Sequence, residues 1–411
     1  MEVEKEIVVK IIRYNNEGEG VALYNDLVIF VKGVLVDENV LVKITEVKKN
    51  YARAKLLSIL STSNDRRISL CPFYEECGGC DIMHIDSNAQ LSFKKKKIED
   101  VFKKICKLDI NVSEVMSFNN LYYRNKVTLR VQGNKIGYYK QKSNTLVDIN
   151  ECLICDKHIN DVIKIIREFI SHYKTHKINK VMIRSAKDEI MIYLDSLNKR
   201  WYDKFIDRLK FVTSIYVKDD LIYGINSINQ KINDLVFDIS PKSFFQVNTE
   251  TISHLYTYAL KKVVDQNICV DLYSGTGTIT MLLAKKSRRV IGIESNSQAI
   301  DDAKNNLLLN NIDNVEFKLG RVEDLIDDLK DLNIDTLVLD PPRSGSDKRS
   351  LRALLKIKPK NIIYISCNPV TLARDYNVIR NLYEIEEIKG FDMFPNTHHV
   401  ECVTLLCCKT L

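Results

Sequence analysis

Cys367 stands in the run Ser366-Cys367-Asn368-Pro369, after the apolar stretch 361–365 and before a helical pattern. A thiol at a strand-to-helix bend lies at the open edge of an α/β sheet, where ligands collect and a thiolate can attack an electrophilic carbon. It is a candidate nucleophile; the competing reading is core packing, because free cysteine is among the most buried residue types. Asp340, opening Asp340-Pro341-Pro342-Arg343, and Glu401, following 394–400, bring carboxyl groups to the ends of other predicted strands. A general base must reach the proton it removes, and on chemistry alone His398 and His399 rival Glu401.

The run 271–278, Asp-Leu-Tyr-Ser-Gly-Thr-Gly-Thr, joins predicted strand 268–272 to a helix through 285. Its glycines let backbone come close to a nucleotide-like ligand at a helix N-terminus. The spacing is not the dinucleotide fingerprint, and a lone GxG is weak evidence. Glu294 strengthens it by ending the next strand, 289–293, where a carboxylate accepts ribose hydroxyls. Asp271 opens the loop with an acid, as nucleoside sites of methyltransferases do. In amino-group methyltransferases an aromatic residue follows the two prolines; Arg343 stands there instead, which points to different chemistry.

A second group of thiols has metal-site spacing. Cys71, Cys77 and Cys80 form C-x5-C-x2-C with two glycines between the last pair, and Cys152 and Cys155 are candidates for a fourth ligand. Zinc sites usually pair two C-x2-C hairpins, so three thiols plus one fit a 4Fe-4S cluster better.

These residues need a large scaffold. The chain has 411 residues, 45% hydrophobic and 28% charged, which sets two to four domains. No apolar run approaches a membrane span, and the start, Met1 to Lys5, has no signal-peptide character, so a cytoplasmic location is expected. Eleven cysteines in such a chain argue against structural disulfides. A net charge of +7 is compatible with nucleic-acid binding without requiring it.

Residues 1–60 alternate in short apolar runs broken by turn signals, which predicts a five-strand barrel with Lys43, Lys48, Lys49, Arg53 and Lys55 available to phosphates. Helix 88–105 carries the charge run 94–97, read as a solvated face. Strands 123–131 and 135–140 bring Cys152 back towards the first three thiols, and helices 157–173 and 200–209 with strands 180–184, 189–194, 213–218 and 235–239 make an α+β unit. Arg124, Lys126, Arg130, Lys140 and Lys142, interleaved with Tyr122, Tyr123, Tyr138 and Tyr139, form either an RNA surface or ordinary strand residues. From 249 onward strands and helices alternate, which predicts a doubly wound sheet.

Taken together, SPKSFFQVN at 240–248, the glycine loop, DPPR, SCNP and FPNTHHVE at 394–401 resemble the RNA (uracil-5-)-methyltransferase family, along essentially the whole chain. The front barrel is similar to a TRAM domain, and the four-cysteine pattern to that of the bacterial 23S rRNA enzymes. The resemblance implies TRAM over 1–62, a central α+β domain with an iron-sulfur cluster over 63–87 and 107–232, and a Rossmann-like methyltransferase domain over 88–106 and 233–411. It implies S-adenosylmethionine as methyl donor, held by Gln246, Tyr273, Glu294 and Asp340, with Phe244 and Phe245 packing or stacking nearby. Cys367 is then the nucleophile that adds to uracil C6, and Glu401 the base that removes the C5 proton. A 4Fe-4S cluster on Cys71, Cys77, Cys80 and Cys152, an RNA substrate, 23S rRNA ahead of tRNA, and a monomer complete the expectation. Thr278 departs from relatives that have asparagine there, which puts one cofactor contact in doubt.

Overall fold

Alternating apolar residues at the front build six strands in the computed structural model, which describes residues 1–409. They run in the order Glu6–Lys10, Asn39–Val47, Tyr51–Ser61, Leu27–Val31, Gly20–Tyr24, Arg13–Tyr14. Five were expected. The sixth exists because the run 7–12 bends at buried Ile11 and exposed Ile12, so the chain continues as a separate two-residue strand. The first and last strands of the sheet are thus two halves of one bent segment. The sheet therefore curls on itself around Val9, Ile29, Val42 and Ile44.

A seven-stranded sheet follows, in the order Leu146–Asp148, Lys135–Tyr139, Lys126–Gln132, Lys180–Ala186, Glu189–Leu194, Ser214–Val217, Asp220–Gly224. Helices Lys157–His172 and Tyr202–Arg208 cover one face, where the Phe169 and Phe205 rings meet edge-on at 4.9 Å. Sequence reading missed the last strand, and it missed Ile228–Ile232, which pairs with Leu235–Ile239 around Asn233 at φ 53°. Both are short, and a single tight turn hides a hairpin in an otherwise polar stretch.

The eight-stranded C-terminal sheet has the order Val315–Leu319, Ser287–Glu294, Gln266–Leu272, Thr336–Leu339, Asn361–Ser366, Glu401–Cys408, Tyr383–Phe391, Val115–Met116. Its first five strands are parallel, and Glu401–Cys408 enters antiparallel beside Asn361–Ser366. Helix Lys348–Ile357, absent from the sequence reading, lies in the same core through Leu351 and Leu354. Helix Ser87–Cys106 packs there too, through Ile98, Val101 and Phe102.

One expectation about that helix is overturned. Lys94, in the supposed solvated charge run, is fully buried and pairs with Asp392 at 2.5 Å, and Lys97 donates to the His398 carbonyl at 2.9 Å. Helical periodicity turns both towards the sheet, and the partner that makes Lys94 tolerable lies in a distant strand end.

Candidate active site and thiol cavity

Parallel strands end on one edge of the sheet, and their last residues point into a common cleft. Tyr273 follows Gln266–Leu272, Glu294 ends Ser287–Glu294, Asp340 follows Thr336–Leu339 and Cys367 follows Asn361–Ser366. Glu401 joins them because its strand runs the other way. An antiparallel neighbour presents its first residue where parallel strands present their last. Ser366 pairs with Cys402, so one step further Cys367 faces Glu401. Gln246, Tyr273, Glu294, Asp340, Cys367 and Glu401 all line one cavity of about 1080 Å³.

Close approaches and hydrogen bonds shape the cavity wall on both sides. Gly275 and Gly277 have φ of 55° and 79°; a Cβ on Gly277 would lie 2.8 Å from the Phe317 ring, whereas one on Gly275 would meet open space. Glu294 accepts the Gly275 amide at 3.0 Å and the Asn296 amide at 2.8 Å. On the other side, Asn368 caps helix Pro369–Ile379 by accepting from the Val370 amide, and its Nδ2 donates to the Arg343 carbonyl. Phe245 is buried against Phe237 at 5.7 Å, whereas Phe244 is 71% exposed at the cavity rim.

Electrostatics distinguish this cavity from a generic cleft. Burial pushes the Asp340 carboxyl up to about 7. Asp271 also rises to about 7 through burial, although the Thr280 hydroxyl donates to it at 2.6 Å. Glu401 is pushed well above the usual carboxylate range by burial and by Asp340, against the pull of Arg343. Cys367 rises to about 11, first through burial and then through Glu401, again opposed by Arg343. Arg343 opposes the rise of both Glu401 and Cys367, and Asp271, Asp340 and Glu401 together give the cavity an acidic wall.

His398 and His399 do not line the cavity. The His398 Nδ1 lies 2.7 Å from Asp81, and burial, then His398, lowers His399 to about 3.

Sequence reading also missed Asp375. Its Oδ2 accepts from the Ser346 amide and the Tyr364 hydroxyl, both at 2.7 Å, and its Oδ1 accepts from Arg374 Nε at 2.8 Å. Arg374 in turn donates to the Ser344 carbonyl at 2.9 Å. Together they pin the loop that carries Arg343. The available signal was an acid on the face of helix Pro369–Ile379 that buries Leu372, Tyr376 and Ile379.

The second thiol group lines a cavity of about 210 Å³ containing Cys71, Cys77, Cys80 and Cys152. Gly78 lets this segment lie on strand Lys135–Tyr139: its amide donates to the Tyr139 carbonyl at 3.1 Å, and a Cβ there would sit 3.0 Å from that oxygen. Burial raises Cys71, Cys80 and Cys77, the last to about 11, and the neighbouring thiols add to each shift. Cys152 is lowered by a hydrogen bond from Cys155. Cys155 itself is fully buried beside the Tyr138 hydroxyl at 3.6 Å and does not line the cavity. Among the described residues no three His, Cys, Asp or Glu side chains converge tightly enough for a single metal ion. Cys71, Cys77, Cys80 and Cys152 line that cavity together with Tyr74, Met83 and Ile154.

The two cavities are joined by a loop. Asp81, next to Cys80, receives His398, and the amides of Asp81 and Ile82 both donate to the Asn396 carbonyl at 3.0 and 3.1 Å. Tyr123, packed beside the thiols, donates its hydroxyl to the Pro395 carbonyl at 3.1 Å. From below, Gln90 Oε1 accepts the Asn396 amide and Lys94 holds Asp392. The segment leading into Glu401 is thus gripped from the thiol side.

A Rossmann-like sheet with an acid-rich nucleoside cleft, a curled N-terminal sheet and a central α+β unit define a methyltransferase carrying a TRAM domain. The chain belongs to the tRNA (uracil-5-)-methyltransferase family, whose model matches residues 86–409, and the TRAM domain model matches residues 2–57. It is 37% identical to an uncharacterized RNA methyltransferase of Clostridium tetani, over 95% of this chain and 94% of that protein. One from Clostridium acetobutylicum is 34% identical over 96% and 95%. The crystal structure of the Pyrococcus abyssi tRNA (uracil-54, C5)-methyltransferase in complex with S-adenosyl-L-homocysteine superposes with a TM-score of 0.79 at 28% identity, covering 97% of this chain and 100% of that one.

Proposed function

We propose that this protein methylates C5 of a uracil in RNA through a covalent adduct on Cys367. The observation that carries the proposal is the meeting of Cys367 and Glu401, from strands of opposite direction, in the cavity that also holds Gln246, Tyr273, Glu294 and Asp340. S-adenosylmethionine supplies, when bound, a methyl group on a positively charged sulfonium, which suits the acid-rich wall. Glu294 would hold the ribose hydroxyls, and Gln246, Tyr273 and Asp340 the remainder of the nucleoside.

Uracil C5 is a poor nucleophile, and a target base must leave its stack to enter the cavity. Phe244 at the rim is available to stack on it. Cys367 attacks as the thiolate, its proton lost to solvent on substrate binding. Its sulfur bonds to C6 and the C5–C6 π pair moves towards O4, which makes C5 an enolate-like carbon able to take the methyl as the donor's S–CH3 bond breaks and leaves a neutral thioether. Glu401 then removes the C5 proton, the double bond re-forms and the thiolate leaves. Burial makes Glu401 an unusually strong carboxylate base once ionised, which favours that proton transfer.

Cys71, Cys77, Cys80 and Cys152 would hold a 4Fe-4S cluster, with Cys155 as a hydrogen-bond donor to Cys152. For the target, the resemblance of the four-cysteine segment and TRAM domain to the 23S rRNA enzymes supports 23S rRNA. A tRNA target is the second reading, favoured by the likeness to the Pyrococcus abyssi enzyme. The protein would act as a cytoplasmic monomer, and no helix among the described residues is long and apolar enough to cross a membrane. Mapping 5-methyluridine in rRNA and tRNA from cells with and without the gene tests the assignment. A site lost from 23S rRNA alone supports it, one lost from tRNA alone moves the target, and no lost site counts against uracil methylation.

A further inference from the structure

Arg184 is the largest of the fully buried side chains, and among the described residues it has no carboxylate partner. Its guanidinium donates to the Ser243 carbonyl at 2.8 Å and the Ser240 carbonyl at 3.5 Å. Directly across the ladder stands another cation, Lys126. Cross-strand partners project from the same face of a sheet, and like charges there repel. Arg124 adds a third cation, and its Nε donates to the Lys126 carbonyl at 3.0 Å.

Desolvated cations grouped without an acid leave a place for an anion from outside, because the repulsion is relieved only when one arrives. Burial, then Arg184 and Arg124, lower the Lys126 ammonium to about 8, in keeping with that crowding.

Position identifies the anion. Asn125, between two of the cations, donates its amide to the Val247 carbonyl at 2.8 Å and its Nδ2 to the Gln246 carbonyl at 3.2 Å. Arg184 holds Ser243 just before them. Exposed Phe244, on the rim of the large cavity, lies between these two anchor points. Along the same strand Arg130 continues the face, its guanidinium 5.8 Å over the Tyr139 ring.

We propose that Lys126, backed by Arg184, seats one phosphodiester of the RNA beside the nucleotide that enters the cavity, with Arg130 and Tyr139 continuing the path of the strand. The inference rests on the RNA reading above and adds a recognition site to it.

The test measures binding of a uridine-containing RNA hairpin to the full-length protein across a salt series, for wild type, Lys126→Met and Lys126→Arg. Methyl transfer and melting temperature are read on the same samples. One lost phosphate contact lowers the slope of log affinity against log salt by about 0.7 to 0.9. The methionine variant is expected to lose that increment and to bind roughly three- to tenfold more weakly at moderate salt. Without RNA it should melt at a higher temperature, since an uncompensated charge has gone, while the arginine variant keeps the wild-type slope. Unchanged slope and affinity in Lys126→Met, with wild type transferring methyl normally, would overturn the phosphate seat alone. A lower melting temperature of the RNA-free methionine variant would also overturn it, by making the lysine structural. Wild type that neither binds RNA nor transfers methyl would overturn the seat together with the reading beneath it.

Discussion

The two thiol sites differ in what they give a sulfur. Cys367 sits opposite carboxyl groups, with Arg343 opposing their effect, in an open cavity large enough for a nucleoside and a base. Cys71, Cys77, Cys80 and Cys152 sit opposite one another in a small cavity bordered by Tyr74, Met83, Tyr138 and Ile154. Burial raises Cys367 and, in the second cavity, Cys71, Cys77 and Cys80, whereas a hydrogen bond from Cys155 lowers Cys152. On the proposed reading the difference is turnover: an isolated thiol beside a base would bond to carbon and leave again, whereas a group of thiols around a small cavity would only hold. On that reading, environment and not residue type separates the reactive cysteine from those that would hold a cluster.

The contrast is broken most severely at Cys367. Cys367→Ala is expected to lower methyl transfer by at least ~1000-fold while leaving melting temperature unchanged, as read with labelled S-adenosylmethionine and unmodified RNA. Glu401→Gln should reach the adduct and stop, giving a protein–RNA species that survives denaturing electrophoresis. Ready release of RNA from that variant would remove Glu401 from the role of base.

On the other side, Cys80→Ser should lose the visible absorbance of an iron-sulfur protein and lower transfer by about tenfold without abolishing it, since the segment positions the loop to Glu401 rather than touching substrate. Lys94→Met tests that loop from the opposite face. It leaves Asp392 buried without its partner and should cost ~3–5 kcal/mol of stability in thermal or urea unfolding, with far less effect on the absorbance.

The smallest expected effect concerns charge alone. Asp340 has its proton affinity raised to about 7 in the folded protein, against ~3.9 for an unfolded aspartate. Between those values the native state keeps a proton that the unfolded state has released, so cofactor-free stability falls as pH rises through this window. Asp340→Asn should flatten that decline and melt a few degrees higher at pH 8. An identical pH profile in wild type and variant would show that the carboxyl is not held neutral.

Local pattern made much of this legible. The strands 189–194, 235–239, 336–339 and 383–391 are found where alternation or apolar runs put them, because short-range periodicity reflects burial directly. Tyr273, Glu294, Asp340 and Cys367 were legible too, as residues at strand ends followed by glycine, proline or a helix cap, whereas Gln246 and Glu401 came only from the family resemblance. What failed was the reading of charge. Lys94 and Lys97 look like surface residues in any window of sequence, and Arg184 looks like an ordinary strand cation.

The sequence by itself determined which strands end in chemistry-bearing residues and which thiols share a spacing, since both follow from bonds along the chain. Only the tertiary structure decided that the Glu401 strand runs against its neighbours, which brings the first residue of one strand to the last of another. It also decided that Asp81 grips the loop between the two thiol sites, and that Arg184 meets Lys126 across the ladder while holding the segment that carries Phe244. Those pairings join residues far apart in sequence, and their energies come from desolvation and contact, which no local pattern records.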